Sequence, residues 1–215
     1  MTIKLLNIDC MDYMKGLEDN SFDLAIVDPP YGINFGQFNR TNKQKNGKRY
    51  KADKYKNSDW DSSIPDEKYF SEIRRVSRNQ IIWGGNYFLD YLGSMRCFIF
   101  WYKKNPAPNF SDGEIAWTSF DKVAKCFELQ CFGNVGGDKK RIHPTQKPVK
   151  LYDWLLSNYA NEGDRILDTH LGSGSSAIAA HYGGFDFVGM ELDKDYYDAA
   201  CKRFEQETAQ QAIEF

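Results

Sequence analysis

Short apolar runs recur along the chain, each bounded by polar or turn-forming residues, and they predict buried strands. The runs lie at residues 3–6, 22–27, 80–83, 97–102, 114–119, 165–167 and 185–190. Runs of this length are typical of parallel strands that are covered on both faces of a sheet.

Segments with the apolar spacing of amphipathic helices lie between these runs, at residues 11–17, 67–76, 149–159, 175–182 and 195–204. Strands that alternate with helices predict an α/β fold, with a doubly wound and mostly parallel sheet of about seven strands. A chain of 215 residues suits a single domain, here residues 1–215. Residues 32–61 show no hydrophobic period and contain little that could enter a core. The segment is also too long for an ordinary connection, which indicates a functional or mobile loop.

The composition disfavours several classes of protein. The five cysteines are an odd number without a C-x-x-C pair, so a disulfide scaffold is not expected. We expect instead that the protein works in a reducing cytoplasm. Cys126, Cys131 and His143 lack a fourth ligand for zinc, and no metal site is predicted. No apolar run reaches the roughly 18 residues of a membrane-spanning helix, and the first residues lack the shape of a signal peptide.

A glycine loop follows the predicted strand at 165–167. In the sequence ILDTHLGSGSSA (166–177), Gly172, Gly174 and Ala177 fit the pattern G-x-G-x-x-G/A, and Glu191 ends the next strand. Such a loop lets a nucleoside ligand approach the backbone, and the acid accepts hydrogen bonds from ribose hydroxyls. A tight turn that merely needs small residues is the alternative interpretation.

Asp168, at the mouth of this loop, favours one class of ligand. A carboxylate repels a pyrophosphate but attracts the ammonium and sulfonium groups of S-adenosylmethionine, so the methyl donor is favoured over a nicotinamide cofactor. A structural role as a helix cap is the other reading of Asp168.

A second motif, Asp28-Pro29-Pro30-Tyr31, stands where the predicted strand at 22–27 ends. The nitrogen of an exocyclic base amine is a poor nucleophile because its lone pair is delocalised into the ring. Acceptors on its two protons, here the Asp28 carboxylate and the Pro29 carbonyl, draw it towards a tetrahedral and more reactive form. The prolines stiffen the loop, and Tyr31 offers a face on which an extruded base stacks.

Together these motifs resemble those of the amino-methylating DNA methyltransferases, specifically the beta group, in which the target-base motif precedes the cofactor motif. The resemblance implies a circularly permuted, Rossmann-like methyltransferase fold that uses S-adenosylmethionine. Asp28 to Tyr31 matches D-P-P-Y, and 166–176 matches D-P-F-x-G-S-G-T-T, with Thr169 and His170 in place of Pro and Phe.

Further cofactor contacts are implied by the same resemblance. The segment RIHPTQKPVKLYDWLL (141–156) is similar to the H-P-x-x-K-P segment, which implies that Lys147 or Thr145 meets the cofactor carboxylate. Asp9 and Cys10 resemble the acidic motif beside the cofactor adenine, and Tyr196, Ala200 and Arg203 follow as in the family's last helix. The cofactor-binding prediction is Asp9, Cys10, Asp28, Thr145, Lys147, Asp168, His170, Gly172, Gly174, Ser175 and Glu191.

A basic segment at about residues 34–61, predicted to be mobile, directly follows the D-P-P-Y motif. Between Arg40 and Lys56 it holds eight Lys or Arg and one Asp, about +7, whereas the whole chain carries −2. This asymmetry predicts phosphate contacts with double-stranded DNA. The predicted contacts are Arg40, Lys43, Lys45, Lys48 and Arg49. A solvated loop that orders only on DNA fits the same pattern.

The function predicted from these features is methylation of adenine N6 in DNA with the target base flipped out. Asp in the first place of the motif usually accompanies adenine in the family, and cytosine N4 is the alternative target. A nicotinamide-dependent reductase, a catalytically silent DNA-binding module, and a methyltransferase for RNA or a protein amide are the competing hypotheses. We expect a cytoplasmic protein of a prokaryotic or phage-type setting, and a homodimer is possible.

Overall fold

All strands of the described residues form one sheet. The computed structural model describes residues 1–34, 60–104, 111–130 and 141–209. Eight strands lie in this part of the chain: β1 (Ile3–Leu6), β2 (Phe22–Val27), β3 (Ser77–Trp83), β4 (Phe98–Tyr102), β5 (Gly113–Thr118), β6 (Lys125–Glu128), β7 (Arg165–Asp168) and β8 (Asp186–Met190). Their spatial order is β1-β8-β7-β2-β3-β5-β4-β6.

The sheet is mostly parallel, as predicted. Only β5 among the described strands runs antiparallel, and it does so to both of its neighbours, β3 and β4. The eight strands agree with the expected number of about seven, and the strand that the sequence did not indicate is β6. Three of its four residues are exposed at the edge of the sheet. An edge strand of this kind has no apolar run by which sequence reasoning detects it.

Six α-helices of the described residues surround the sheet: α1 (Cys10–Met14), α2 (Glu67–Val76), α3 (Leu89–Leu92), α4 (Val149–Tyr159), α5 (Ser175–Gly183) and α6 (Lys194–Ala209). The predicted bounds of α2 and α4 agree with the structure. One short helix, α3, and a 3-10 turn at Gly85–Tyr87 were not predicted, since single turns carry too few residues to show a period. No helix among the described residues is long and apolar enough to cross a membrane.

Helices cover both faces of the sheet, which makes the fold doubly wound. One apolar cluster joins Leu24 and Ile26 of β2 to residues of α4, α5 and α6. A second cluster joins Ala25 and Val27 to residues of α1, α2 and α3. Alternate residues of β2 thus face opposite cores, so this central strand is buried on both sides.

The middle of the sheet brings the two motifs together. Strands β2 and β7 are parallel neighbours, with Leu24 beside Ile166 and Ala25 beside Leu167. From β7 the chain continues to β8 on one side, and from β2 it continues to β3 on the other side. The loops at the carboxyl ends therefore diverge and leave a crevice, which is where open α/β sheets bind ligands.

Candidate active site

The Asp-Pro-Pro-Tyr loop leaves β2 and is held in place by a distant carboxylate. Asp61 Oδ1 accepts hydrogen bonds from the backbone N–H of Tyr31 (2.7 Å) and of Gly32 (2.9 Å). The Asn34 N–H donates to the Asp61 carbonyl over 2.8 Å. Asp61 is buried, with 2% of its surface exposed. The expectation that little of residues 32–61 enters a core was therefore wrong at this residue.

Within this loop Tyr31 is oriented by three contacts. Its hydroxyl donates to Asp28 Oδ1 over 2.6 Å, and its ring stacks on Tyr87 with centroids 5.0 Å apart. Its ring also lies against the backbone of Gly84, where a Cβ would collide with it and φ is +71°. Position 84 therefore requires glycine. Tyr87, 44% exposed, was not identified from the sequence.

A buried lysine contacts the acid of this loop. Lys147 is 4% exposed and forms ion pairs with Asp28 Oδ2 and with Glu114 Oε2, the latter over 3.1 Å. Lys147 Nζ also donates to the Tyr31 hydroxyl over 3.3 Å. Glu114 forms a second ion pair with Lys103, so that four charges of alternating sign run from the end of β4, through β5, to the end of β2.

Both partners of the central ion pair are ionised near neutral pH. Burial opposes the charge of Glu114, but the ammonium groups of Lys147 and Lys103 prevail and lower its pKa to about 2. Burial likewise opposes the charge of Lys147, and the carboxylates of Asp28 and Glu114 reverse the effect and raise its pKa. Glu114 was missed from the sequence. A single acid inside the apolar run of β5 was the available signal.

Two carboxylates contact the glycine loop after β7: the buried Asp168 and the partly buried Glu191, which follows β8. Asp168 accepts from the His170 N–H (3.0 Å) and the Ser176 hydroxyl (2.6 Å), and burial raises its pKa to about 7. Glu191 accepts from the Gly172 N–H (2.9 Å), and burial raises its pKa as well. Gly172 has a φ of +53°. The Ser176 hydroxyl ties Asp168 to α5, but Asp168 does not cap this helix, whose N-cap residue is Gly174.

His170, which departs from the family's Phe, is accommodated as a neutral ring. Burial lowers its pKa to about 4, and the ring packs edge-on against Tyr69 with centroids 5.5 Å apart. The Thr169 hydroxyl lies 2.9 Å from His170 Nδ1 and 2.7 Å from the Tyr69 hydroxyl. An uncharged imidazole in this place serves the packing role of an aromatic residue.

The segment that contains Lys147 also reaches the glycine loop. His143 packs against Tyr196 of α6 (centroids 4.4 Å apart) and against Trp60 (5.4 Å), which sequence reasoning missed. His143 also lies 3.9 Å from where a Cβ of Gly172 would stand. The Thr145 hydroxyl contacts His143 Nδ1 at 3.1 Å. Cofactor contact by Thr145 or Lys147 stays a prediction.

Two further predicted residues have structural partners. Ser175 accepts from Arg203 Nη1 over 2.9 Å, and the same group donates to the Ser173 carbonyl over 3.0 Å, which ties α6 to the glycine loop. Asp9 caps α1 by accepting from the Met11 N–H over 2.7 Å.

Cys10 lies at the start of α1 in surroundings that disfavour its thiolate. Burial and the carboxylate of Asp9 raise its pKa to about 12, and Glu191 contributes to the rise. The Glu191 N–H donates to the Leu6 carbonyl over 3.0 Å, at the end of β1, so the Asp9–Cys10 motif that follows β1 starts on the same side of the sheet as Glu191. Cys126 is exposed, and Cys131 lies outside the described residues.

The donor set of this crevice fits the predicted methyl donor. Asp28, Asp168 and Glu191 surround the glycine loop with carboxylates, and Asp28 and Glu191 both contribute to the raised pKa of Asp168. Such a site attracts a sulfonium and an ammonium and repels a pyrophosphate. The predicted phosphate contacts, Arg40, Lys43, Lys45, Lys48 and Arg49, lie outside the described residues.

Comparisons with known proteins agree with this assignment. A family model described as DNA methylase matches residues 22–202. The chain is 28% identical to the type II methyltransferase M2.DpnII of Streptococcus pneumoniae, over 94% of this chain and 90% of that protein. It is 25% identical to the type II methyltransferase M2.MboI of Moraxella bovis, over 93% and 86%.

Solved structures share the fold. The M1.HpyAVI–SAM complex matches with a TM-score of 0.62 and 20% identity, over 94% of this chain and all of that one. The cytosine-N4-specific PvuII DNA methyltransferase matches with a TM-score of 0.61 and 13% identity, over 97% and 91%. At these identities the match supports the predicted methyltransferase fold and says nothing about the target base.

Proposed function

Because this chain belongs to the DNA methylase family and uses S-adenosylmethionine as its cofactor, we propose that it methylates the N6 amine of adenine in DNA. The observation that supports the site most strongly is the position of Asp28. Its carboxylate stands at the carboxyl end of β2, beside the glycine loop of β7, and Asp28 raises the pKa of Asp168 in that loop.

The chemistry asked of Asp28 is to accept a hydrogen bond from the amine of the target base. One lone pair of Oδ1 is used by the Tyr31 hydroxyl and one of Oδ2 by the Lys147 ammonium. Each carboxylate oxygen has a second lone pair, so an acceptor remains for the amine. The cofactor supplies a methyl group made electrophilic by its positively charged sulfur. Tyr31 and the stiff prolines orient Asp28 and the incoming base.

Adenine is preferred over cytosine on the identity of the first motif residue, Asp28. A carboxylate accepts a hydrogen bond from either amine, so hydrogen bonding alone does not separate the two bases. The preference therefore rests on the family resemblance. The names of the type II relatives, M2.DpnII and M2.MboI, support a role in a restriction-modification setting.

The product identifies the target base directly. We expect purified protein, duplex DNA and isotope-labelled S-adenosylmethionine to yield N6-methyladenine, measured by mass spectrometry after digestion to nucleosides. N4-methylcytosine as the sole product would overturn the adenine assignment and leave the amine chemistry standing. No labelled nucleoside from several DNA sequences would contradict the proposed function.

Contacts with DNA are proposed for the basic segment. The described residues that flank this segment are Asn34 before it and Asp61 after it. The Asn34 N–H donates a hydrogen bond to the Asp61 carbonyl, and the Asp61 carboxylate accepts one from the Tyr31 N–H. The described residues on either side of the basic segment, Asn34 and Asp61, therefore lie together beside the Tyr31 loop. This placement supports phosphate contacts by Arg40 to Arg49 next to a flipped-out base. The single domain and the possible homodimer stay predictions.

Glu191 is proposed to hold the ribose of the cofactor. We expect Glu191→Gln to weaken S-adenosylmethionine binding by about 1–3 kcal/mol, because a charged acceptor is lost. Isothermal titration calorimetry measures the change. The matched control is Glu205→Gln, an exposed position on α6, which should bind as the wild type does. Unchanged affinity in a folded Glu191→Gln protein would remove Glu191 from the cofactor site.

A further inference from the structure

Glu114 lies outside the motifs of the sequence, yet it shares a buried cation with the acid of the Asp-Pro-Pro-Tyr loop. Lys147 Nζ lies 3.1 Å from Glu114 Oε2 and also contacts Asp28 Oδ2. We propose that Glu114 is a positioning residue for methyl transfer, which acts on Asp28 through Lys147. This inference rests on the proposed function of Asp28 as the acceptor for the base amine.

The charges around Lys147 show why a second carboxylate matters. Lys103, Glu114, Lys147 and Asp28 alternate in sign, and the four together are neutral. Because Glu114 is present, the Lys147 ammonium is shared between two carboxylates, and its ion pair with Asp28 is weaker. Without the charge of Glu114, Lys147 pairs with Asp28 alone, and the stronger pair reduces the ability of Asp28 to accept a hydrogen bond from the amine.

The position of Glu114 is set by the sheet and by its second partner. It lies on β5 opposite Trp101 of β4, and Lys103, which follows β4, holds its other oxygen. The Lys103 ammonium in turn lies 4.9 Å from the centre of the Trp101 ring. Glu114 is therefore fixed from the side away from Asp28, so its carboxylate is a stable second anchor for Lys147.

The same strand also supports Tyr31. The Gly84 N–H donates to the Ile115 carbonyl over 2.9 Å, and the Tyr31 ring lies against Gly84. Lys147 Nζ is 3.3 Å from the Tyr31 hydroxyl. Strand β5 thus supports the Asp-Pro-Pro-Tyr loop in two ways, through the backbone of Gly84 and through the ion pairs of Glu114 and Lys147. A substitution that removes the charge of Glu114 tests the second of these.

The test compares Glu114→Gln and Glu114→Asp with a matched control, Glu128→Gln. Glu128 pairs with Lys104, which follows the neighbouring strand β4, but both side chains of that pair are about half exposed. Single-turnover methyl transfer to duplex DNA gives the rate constant and the active fraction separately. Calorimetry gives the S-adenosylmethionine affinity, and fluorescence anisotropy gives the DNA affinity.

We expect Glu114→Gln to lower the transfer rate constant by about 10- to 100-fold, the scale on which a misplaced reacting group reduces a rate. Both affinities should stay within about twofold, since the cofactor and DNA contacts remain. Glu114→Asp, which keeps the charge, should recover part of the rate, and Glu128→Gln should match the wild type.

Two outcomes would overturn the inference. One is a wild-type rate constant in Glu114→Gln, and the other is a lower active fraction with an unchanged rate constant, which is the signature of a folding role alone. Either result leaves the wild-type enzyme active and the proposed function intact. Failure of the wild-type protein itself to methylate DNA would instead contradict the proposed function.

Discussion

Asp28→Ala abolishes methyl transfer, with an expected fall of about 10³-fold or more in the rate constant, because the acceptor that acts on the reacting amine is lost. Asp28→Asn keeps the shape but presents a neutral amide to Lys147, and it should be nearly as inactive. Single-turnover assays with labelled cofactor measure both variants. The affinity for S-adenosylmethionine should fall far less than the rate constant, since Asp168 and Glu191 remain.

The control for Asp28 lies on the same strand. Asp23, at the other end of β2, accepts from the Arg165 N–H over 2.9 Å and pairs with Arg78 at the surface. Asp23→Asn should therefore keep the wild-type rate. Thermal unfolding of each variant separates loss of chemistry from loss of fold. Activity above about a tenth of wild type in folded Asp28→Ala would exclude Asp28 as the acceptor.

Lys147→Met lowers the free energy of unfolding by about 3–5 kcal/mol near neutral pH, because it leaves two largely buried carboxylates without the cation between them. Urea unfolding measures the change. Lys104→Met is the matched control, since Lys104 forms an exposed pair with Glu128. Such a surface pair contributes at most about 1 kcal/mol. A loss below about 1 kcal/mol in Lys147→Met would show that the buried pair does not stabilise the fold.

The pH dependence of this loss follows from the two pKa shifts. The lowered pKa of Glu114 adds stability that is complete above its ordinary value of 4.5 and is lost as the pH falls towards about 2. The raised pKa of Lys147 adds stability that is complete below its ordinary value of 10.5. The difference between wild type and Lys147→Met should therefore be largest between about pH 4.5 and 10.5 and shrink in acid.

Much of the architecture is a local property of the sequence. The apolar runs predicted seven of the eight strands of the described residues, and the helical spacing predicted α2 and α4 at their observed bounds. The order of the two motifs and the alternation of strands with helices predicted the doubly wound sheet. These features repeat every few residues and need no knowledge of distant neighbours, so the sequence alone determines them.

The site depends on contacts between distant parts of the chain. Lys147 and Asp28 are 119 positions apart, and their ion pair exists only because β2 and the turn before α4 meet at one end of the sheet. Glu114 and Asp61 reach the same loop from two further segments. Three-dimensional packing decides which carboxylates share a buried cation. Periodicity and motif spacing carry no information about such contacts.

The sequence by itself therefore determined the class of fold, the family and the two loops that carry the chemistry, because each rests on residues close together in the chain. Only the tertiary structure decided how Asp28 is held: by Tyr31 and Lys147 directly, by Glu114 through Lys147, and by Gly84 and Asp61 through the Tyr31 loop. A buried charge is stable only beside its partners, and folding brings those partners together from separate strands.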